Sequence, residues 1–328
     1  MLVMRFGRTD LANVRFAISP LMELHMSVRA LDNPSAQALH LPWITEALPL
    51  TEHLPMDLLH AFHPEGAYAP DFIHPPPTTP LGEFEDEVEK MLATPPKQVT
   101  AEVSFAYRDR QLPAVLQPFI DHPRAAVTHL AEVVREYWRL TLAPYWERLR
   151  ALLEGDVLHR SRLLAQGGAA ELFNDLTPLV RWQGGTLTVA HRHLHAAVPL
   201  DGRGLVLVPS AFVWPRVFSK TDARWQPVLR YPPRGIATLW ETGTATAPGA
   251  LAAVVGRGRA MLLAELAAPA STAELARRTG LSAGAVSQHL GILKAAGLVS
   301  GHRAGRHVLY ARTALAESLV AGTGEVDC

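Results

Sequence analysis

Apolar residues recur along this chain with two periods, and the change from one to the other marks its organisation. Leu2-Val-Met-Arg-Phe6 has the length of a short strand. Asp10 then precedes Leu11-Ala-Asn-Val-Arg-Phe16, and Leu21 to Arg29, following Pro20, predicts a helix. Residues 40 to 80 are broken by Pro42, Pro49, Pro55, Pro64, Pro70 and the run Pro75 to Pro77, which allows only short helices and loops. Glu83 to Leu92 predicts an acidic helix ending before Pro95-Pro96, with its negative run facing solvent. The strongest helical pattern runs from Arg124 to Leu153. Leu130, Val134, Trp138, Leu142, Tyr145 and Leu149 form one stripe there, and Pro144 should kink the helix or start a new one. Such a stripe can serve as domain core, dimer seam or pocket wall. After Gly167-Gly168 and a helix around Glu171 to Leu176, the period shortens. Thr186 to Val189, Gly204 to Val208 and Pro227 to Tyr231 read as strands, with Asp201-Gly202 a hairpin signal. A small antiparallel sheet packed against the preceding helices is expected, followed by a linker at Thr242 to Ala250.

The helical period returns near the C-terminus in a more specific form. Ser271 and Glu274 have capping-box spacing, Leu275 and Ala276 are the buried positions of a short helix, and Gly280 supplies a left-handed terminator. Ser282 caps a second helix whose Val286, Leu290 and Leu293 point inward. Its other face carries Gly284, Ser287, Gln288 and Gly291: small residues, and one amide long enough to reach a base edge. A surface hairpin of helices would ordinarily place Lys and Glu there. Gly297 closes this helix, Leu298 begins a strand, and His302-Arg-Ala-Gly-Arg306 is a tight basic turn before a second strand, His307 to Arg312. Two helices followed by a basic hairpin describe a winged helix-turn-helix, whose wing can lay Arg303 and Arg306 on phosphates or in a minor groove.

Thr272-Ala-Glu-Leu-Ala, Gly280-Leu-Ser, Val286-Ser-Gln-His-Leu290, Leu293-Lys-Ala-Ala-Gly-Leu-Val299 and Gly305-Arg-His-Val-Leu-Tyr310 resemble the ArsR-type winged-helix regulators of bacteria over roughly residues 250 to 320. The resemblance implies a homodimer that binds double-stranded operator DNA and answers to an effector, here an unknown small molecule. It implies base contacts from Ser287 and Gln288 and wing contacts from Arg303 and Arg306. Thr272, Ser282, His289 and Lys294 complete the expected DNA-binding set, with His289 at its edge, where contact and packing are both open. Metal-sensing relatives carry paired cysteines before the recognition helix, whereas the only cysteine here is Cys328, so a thiolate sensor is not expected. The tail from Ala314 to Val320 offers two turns at most, shorter than the family's dimerising last helix, so further dimer contacts are expected from the N-terminal region. Arg15-Phe-Ala-Ile-Ser-Pro-Leu21 and Gly204 to Pro215 resemble an uncharacterised domain that precedes such winged helices, which implies nothing about ligand or chemistry.

Composition sharpens this picture at two points. The formal net charge is zero, yet residues 250–322 hold eight basic groups against three acids, so a basic module sits on an acidic body. A single cysteine excludes an internal disulfide, Arg5, Arg8, Asp10 and Arg15 interrupt any leader-like run, and no apolar stretch approaches a membrane span, so a cytoplasmic protein without a membrane partner is expected.

Enzymatic signatures are sparse. His191, His193 and His195 would share one face of a strand, where two imidazoles could meet a metal, but no nearby carboxylate or cysteine completes a set. No nucleophile elbow, phosphate-binding loop or H-E-x-x-H pair occurs, and Gly256-Arg-Gly-Arg259 reads as the opening of the winged domain with Arg257 and Arg259 available to DNA. The expectation is an α+β protein. Its N-terminal domain, 1–245, is mostly helical and senses or assembles; a winged helix occupies 250–322. It acts as a DNA-binding regulator, more in the manner of a repressor, with no catalytic residues, metal or cofactor. The alternatives make the N-terminal domain a pure dimerisation or interaction scaffold, or the seat of an enzymatic activity.

Overall fold

The computed structural model describes residues 1–64, 68–191, 195–222, 225–240, 249–304 and 307–321. Packing divides the chain into two units that are interleaved in sequence: residues 1–146 with 166–232, and residues 147–165 with 233–328. The sequence suggested one cut between 245 and 250. The packing units instead divide within the helix Trp146–Asn174 and again at Pro232. The expected linker lies almost wholly outside the described residues.

The first unit is α+β. Strands β1 (Leu2–Arg5), β2 (Arg15–Phe16), β3 (Val180–Gln183), β4 (Thr186–Val189), β5 (Ala196–Pro199), β6 (Val206–Pro209), β7 (Phe218–Lys220) and β8 (Val228–Tyr231) form two sheets, ordered β3-β4-β1-β5 and β2-β6-β8-β7. Both are mixed, where a single antiparallel sheet was expected. β1 pairs antiparallel with β4 but parallel with β5, and β6 is parallel to both neighbours. Asp201 and Gly202 do adopt left-handed conformations, with φ of 53° and 80°. Their turn nevertheless carries the chain from one sheet to the other and closes no hairpin.

β6 shows why. All four of its residues are buried. Leu207, with Leu229 and Tyr231 of β8, joins a core that includes Leu2, Met4, Leu187 and Val189 from the other sheet. Val206, Val208 and Val228 point the other way, against Ala17 and Met22. A strand covered on both faces needs a continuous apolar run, and that is what parallel central strands carry. β1, covered on one face, alternates instead.

The helix Pro20–Asp32 buries eleven of its thirteen residues. Pro20 occupies its first turn and Ser19 caps it, accepting from the Met22 amide at 3.1 Å. Glu87 reaches the same terminus, accepting from the Leu21 amide at 2.9 Å and from Ser19 Oγ at 2.8 Å. The helix Phe84–Leu92 therefore departs from the expected wholly solvated acidic face: Glu85 and Glu89 are exposed and pair with Arg135, but Glu87 is buried. Gly82 makes room for it, since a Cβ there would stand 2.5 Å from Glu87 Oε1. Burial raises the Glu87 carboxyl to about 7, against the pull of those two hydrogen bonds.

The long apolar stripe is mainly core in the helix Pro123–Thr141, where Val127, Leu130, Val134 and Tyr137 are buried. Trp138 stacks on Phe84 at 4.3 Å. Pro144 ends this helix in a 3-10 turn, and Trp146–Asn174 follows as a new helix kinked at Gly168, whose φ is 67°. No helix among the described residues is long and apolar enough to cross a membrane.

The second unit joins residues 147–165 of that helix to the winged helix. Asp156 accepts from the Arg234 amide at 2.9 Å. Gly155 passes so close to Pro269 that a Cβ would meet its carbonyl at 2.7 Å. Helices Gly249–Val255, Arg257–Glu265, Thr272–Thr279 and Ala283–Ala295 lead to a three-stranded sheet of β9 (Ala270–Ser271), β10 (Val299–Ala304) and β11 (His307–Arg312), ordered β10-β11-β9. The helix Ala314–Ala321 closes the unit with two turns, as its length implied.

Candidate nucleic-acid interface

The pair Thr272–Thr279 and Ala283–Ala295 is built by its caps. Ser271 Oγ accepts from the Glu274 amide at 3.2 Å, Gly280 ends the helix at φ 69°, and Ser282 Oγ accepts from the Ala285 amide at 3.2 Å. The Glu274 half of the expected capping box is turned elsewhere. Its carboxylate is buried and takes Arg278 Nε at 2.7 Å together with Arg277 Nη2. Val286, Leu290 and Leu293 enter the core with Leu275, Leu263 and Val299, and Ala276 packs at its margin. At the far end the Leu298 amide donates to the Leu293 carbonyl at 2.9 Å, with Gly297 left-handed at φ 70°.

This core leaves Gly284, Ser287, Gln288, Gly291 and Lys294 exposed on Ala283–Ala295. Gly284 and Gly291 have nothing within 4 Å of an added Cβ, so the flanks of Ser287 and Gln288 are open. Ser282 is exposed and Thr272 half-buried in the first position of its helix. His289 is half-buried. Its Nε2 would stand 2.8 Å from a Cβ at Gly258, so the imidazole fills a space that glycine leaves on the helix Arg257–Glu265. Arg303 is exposed on β10, opposite Val308 of β11. Arg306 lies outside the described residues.

Counting charges overstated the free positive surface. Arg277 and Arg278 are held by Glu274, Arg312 is paired with Glu317 at 3.2 Å, and Arg259 donates to the Val255 carbonyl, which withdraws it from the role expected beside Arg257. Of the described basic residues in 250–322, Arg257, Lys294 and Arg303 remain exposed without such a partner. A contact absent from any sequence pattern supports the wing from behind: Arg162 donates to Ser300 Oγ at 3.1 Å and to His302 Nε2 at 2.9 Å.

Of the histidines singled out in the first unit, the two described ones do not lie on a strand. His191 and His195 lie between β4 and β5, outside either strand, and His193 lies outside the described residues. His191 Nε2 is 2.9 Å from Ser219 Oγ, while His195 is exposed and takes the Met1 ammonium at 2.9 Å. Pattern reading missed another set, the buried His25, His63 and His74 with Lys220 and Arg230. His25 Nδ1 and His63 Nε2 bond each other at 3.1 Å instead of converging on a point, and no group of three His, Cys, Asp or Glu among the described residues is placed to hold a metal ion. The available signal was polar Glu23, His25 and Ser27 alternating with the apolar residues of one helix.

Two family models match parts of the chain. Residues 259–302 are similar to a family described as a helix-turn-helix domain, and residues 82–236 to a family of unknown function (DUF5937). No curated protein and no solved structure matches the chain significantly. The chain thus carries a DNA-binding helix-turn-helix domain with a β-hairpin wing, on an α+β body.

Proposed function

We propose that the protein is a sequence-specific transcriptional regulator of ArsR type, a cytoplasmic homodimer that represses from an inverted-repeat operator. The observation that carries this reading is the open face of Ala283–Ala295, where Gln288 and Ser287 stand exposed between glycines beside a wing that presents Arg303. A helix with that face can enter a major groove, and Gln288 can pair with the N6 and N7 of an adenine. Dimerisation is supported by apolar residues left exposed on the first and last helices of the winged unit: Val254, Leu315 and Leu319 are 80%, 58% and 37% exposed. Two such subunits would meet half-sites about one helical turn apart, roughly 34–36 Å. Thr272, Ser282 and Lys294 belong to the phosphate-facing margin of the reading, and Arg306 is included as a phosphate contact. His289 belongs to its support. No catalytic role is part of the proposal.

The test is selection of bound sequences from a random DNA pool, followed by footprinting of wild type and Gln288→Ala. A palindromic site is expected, with Gln288→Ala losing about 1–3 kcal/mol at one base position of each half-site. Equal binding of both proteins to all sequences would remove sequence-specific regulation as the function.

A further inference from the structure

The first unit contains a cavity of about 800 Å3, large enough for a metabolite or drug-sized molecule. Part of its wall is apolar, with Met26, Tyr68, Phe105, Leu179, Val217 and Phe218. Phe105 is 51% exposed, marking the open side, and meets the Tyr68 ring edge-on at 5.2 Å. The rest of the wall is cationic. Arg29, Arg216, Lys220 and Arg230 line it against one carboxylate among the described residues, Asp222.

These cations differ in what holds them. Lys220 is committed: it is paired with Asp71 and its ammonium donates to His74 Nδ1 at 3.0 Å. That bond leaves the His74 proton on Nε2, which is buried and has no acceptor. Arg29 lies over the Phe218 ring at 5.0 Å. Arg230 is the exception. It is 5% exposed, on the central strand β8, and its guanidinium makes no hydrogen bond among the described residues. Asp71 and Glu23 act on it only through space, and burial pushes it down to about 10. A guanidinium held this deep with no hydrogen bond to the described residues is costly, and Arg230 lines the cavity, so it is placed for a partner that enters from outside. Asp71, the acid that acts on it most, is paired with Lys220, and Glu23 is engaged as well: both its oxygens accept from the Ala211 amide at 3.1 Å.

We propose that this cavity is a binding site for a small organic monoanion, a carboxylate borne on an apolar body, with the carboxylate on Arg230 and the body against Phe105, Tyr68 and Phe218. The planar guanidinium matches a carboxylate through two parallel hydrogen bonds. The apolar wall distinguishes such a ligand from an inorganic anion, which would leave that surface wet. Neutral imidazoles suit the same ligand, since His63 and His74 line the wall without adding a fixed charge. The site stands whether or not the winged helix recognises an operator.

The test uses the full chain, titrated calorimetrically and by Tm with straight-chain and phenyl-substituted carboxylic acids from acetate to decanoate. The primary amide of each acid and inorganic phosphate serve as controls. The expected result is one site per chain that tightens as the acid lengthens. At best length the acid should exceed its amide by at least about tenfold, the value of a charge-assisted hydrogen bond. Arg230→Met should remove that preference. Phe105→Ala, at an exposed position that leaves folding intact even if Arg230→Met does not, should weaken the longer acids while acetate is unchanged. Acids and amides binding alike, phosphate binding as tightly as the best acid, no member of the series binding, or Phe105→Ala without effect on any acid would each overturn the proposal.

Discussion

The winged helix and the first unit differ in how many ionisable groups they bury. In the winged helix Leu275, Val286, Leu290 and Leu293 go inward with one buried acid, Glu274, and the exposed face of Ala283–Ala295 carries Ser287, Gln288 and Lys294. The first unit takes ionisable groups into its interior: Asp10, Glu23, Glu87, Asp71 and Arg230 are all 5% exposed or less, beside His25, His40, His63 and His74. Each needs a partner, because an unpaired charge or polar group away from water is expensive. Asp10 takes the Gly7 and Gly204 amides at 2.8 and 3.0 Å, and Glu87 caps a helix. Polar burial on this scale ties distant segments together. A surface built for a macromolecule needs no such network.

The strongest way to break this contrast is to remove one buried partner. Asp71 pairs with Lys220 and accepts from Trp225 Nε1 at 3.0 Å. Asp71→Ala should destabilise the first unit by about 3–5 kcal/mol, because it strands a buried ammonium. Lys294→Ala on the winged helix should stay within about 0.5 kcal/mol. Six of the seven tryptophans lie in the first unit, so fluorescence during urea unfolding reports the former directly. Equal effects at the two sites would erase the contrast.

Acid offers a second test. Burial holds His25 at about 3 and His40 at about 4, with His63 and His74 also well below 6.5. As pH falls through 6.5 the unfolded chain takes up protons that these folded imidazoles refuse, so stability is lost. Glu23 and Glu87 act in the opposite sense. Raised to about 7 by burial, they bind protons in the folded state between pH 7 and 4.5, and that gains stability as pH falls. Four groups outweigh two, and the net difference of about two protons predicts a loss of roughly 2–3 kcal/mol per pH unit between 6 and 5. Urea midpoints of the tryptophan signal across that range check it; a flat profile would show that the buried imidazoles and carboxyls cancel.

Smaller effects sharpen the other side. Ser282→Ala removes the acceptor for the Ala285 amide and should cost about 1 kcal/mol, read as faster hydrogen exchange in Ala283–Ala295. Arg303→Ala should weaken DNA binding to many sequences alike and flatten its salt dependence by about one unit of log–log slope, with folding unchanged. An unchanged slope between 50 and 200 mM salt would take Arg303 off the phosphates.

The winged helix was legible in the sequence because its determinants are local. Caps, a left-handed glycine and a helical stripe act within about one turn of each other, and Ser271, Gly280, Ser282 and Gly297 occupy the places their spacing implied. The same locality revealed the helix after Pro20, the restart at Pro144 and strands such as Thr186–Val189. It could not show that β6 would be covered on both faces, that the turn at Asp201-Gly202 would join two sheets, or that residues 147–165 would pack with the winged helix. The cavity was out of reach for the same reason. His63, His74, Lys220 and Arg230 are brought together across more than 150 residues, and nothing in their own neighbourhoods says whether an imidazole or a guanidinium will face water or a closed wall. Local chemistry determined the elements and the exposed face of Ala283–Ala295; only tertiary packing decided which charges would be buried, since burial is a property of what the rest of the chain places around them.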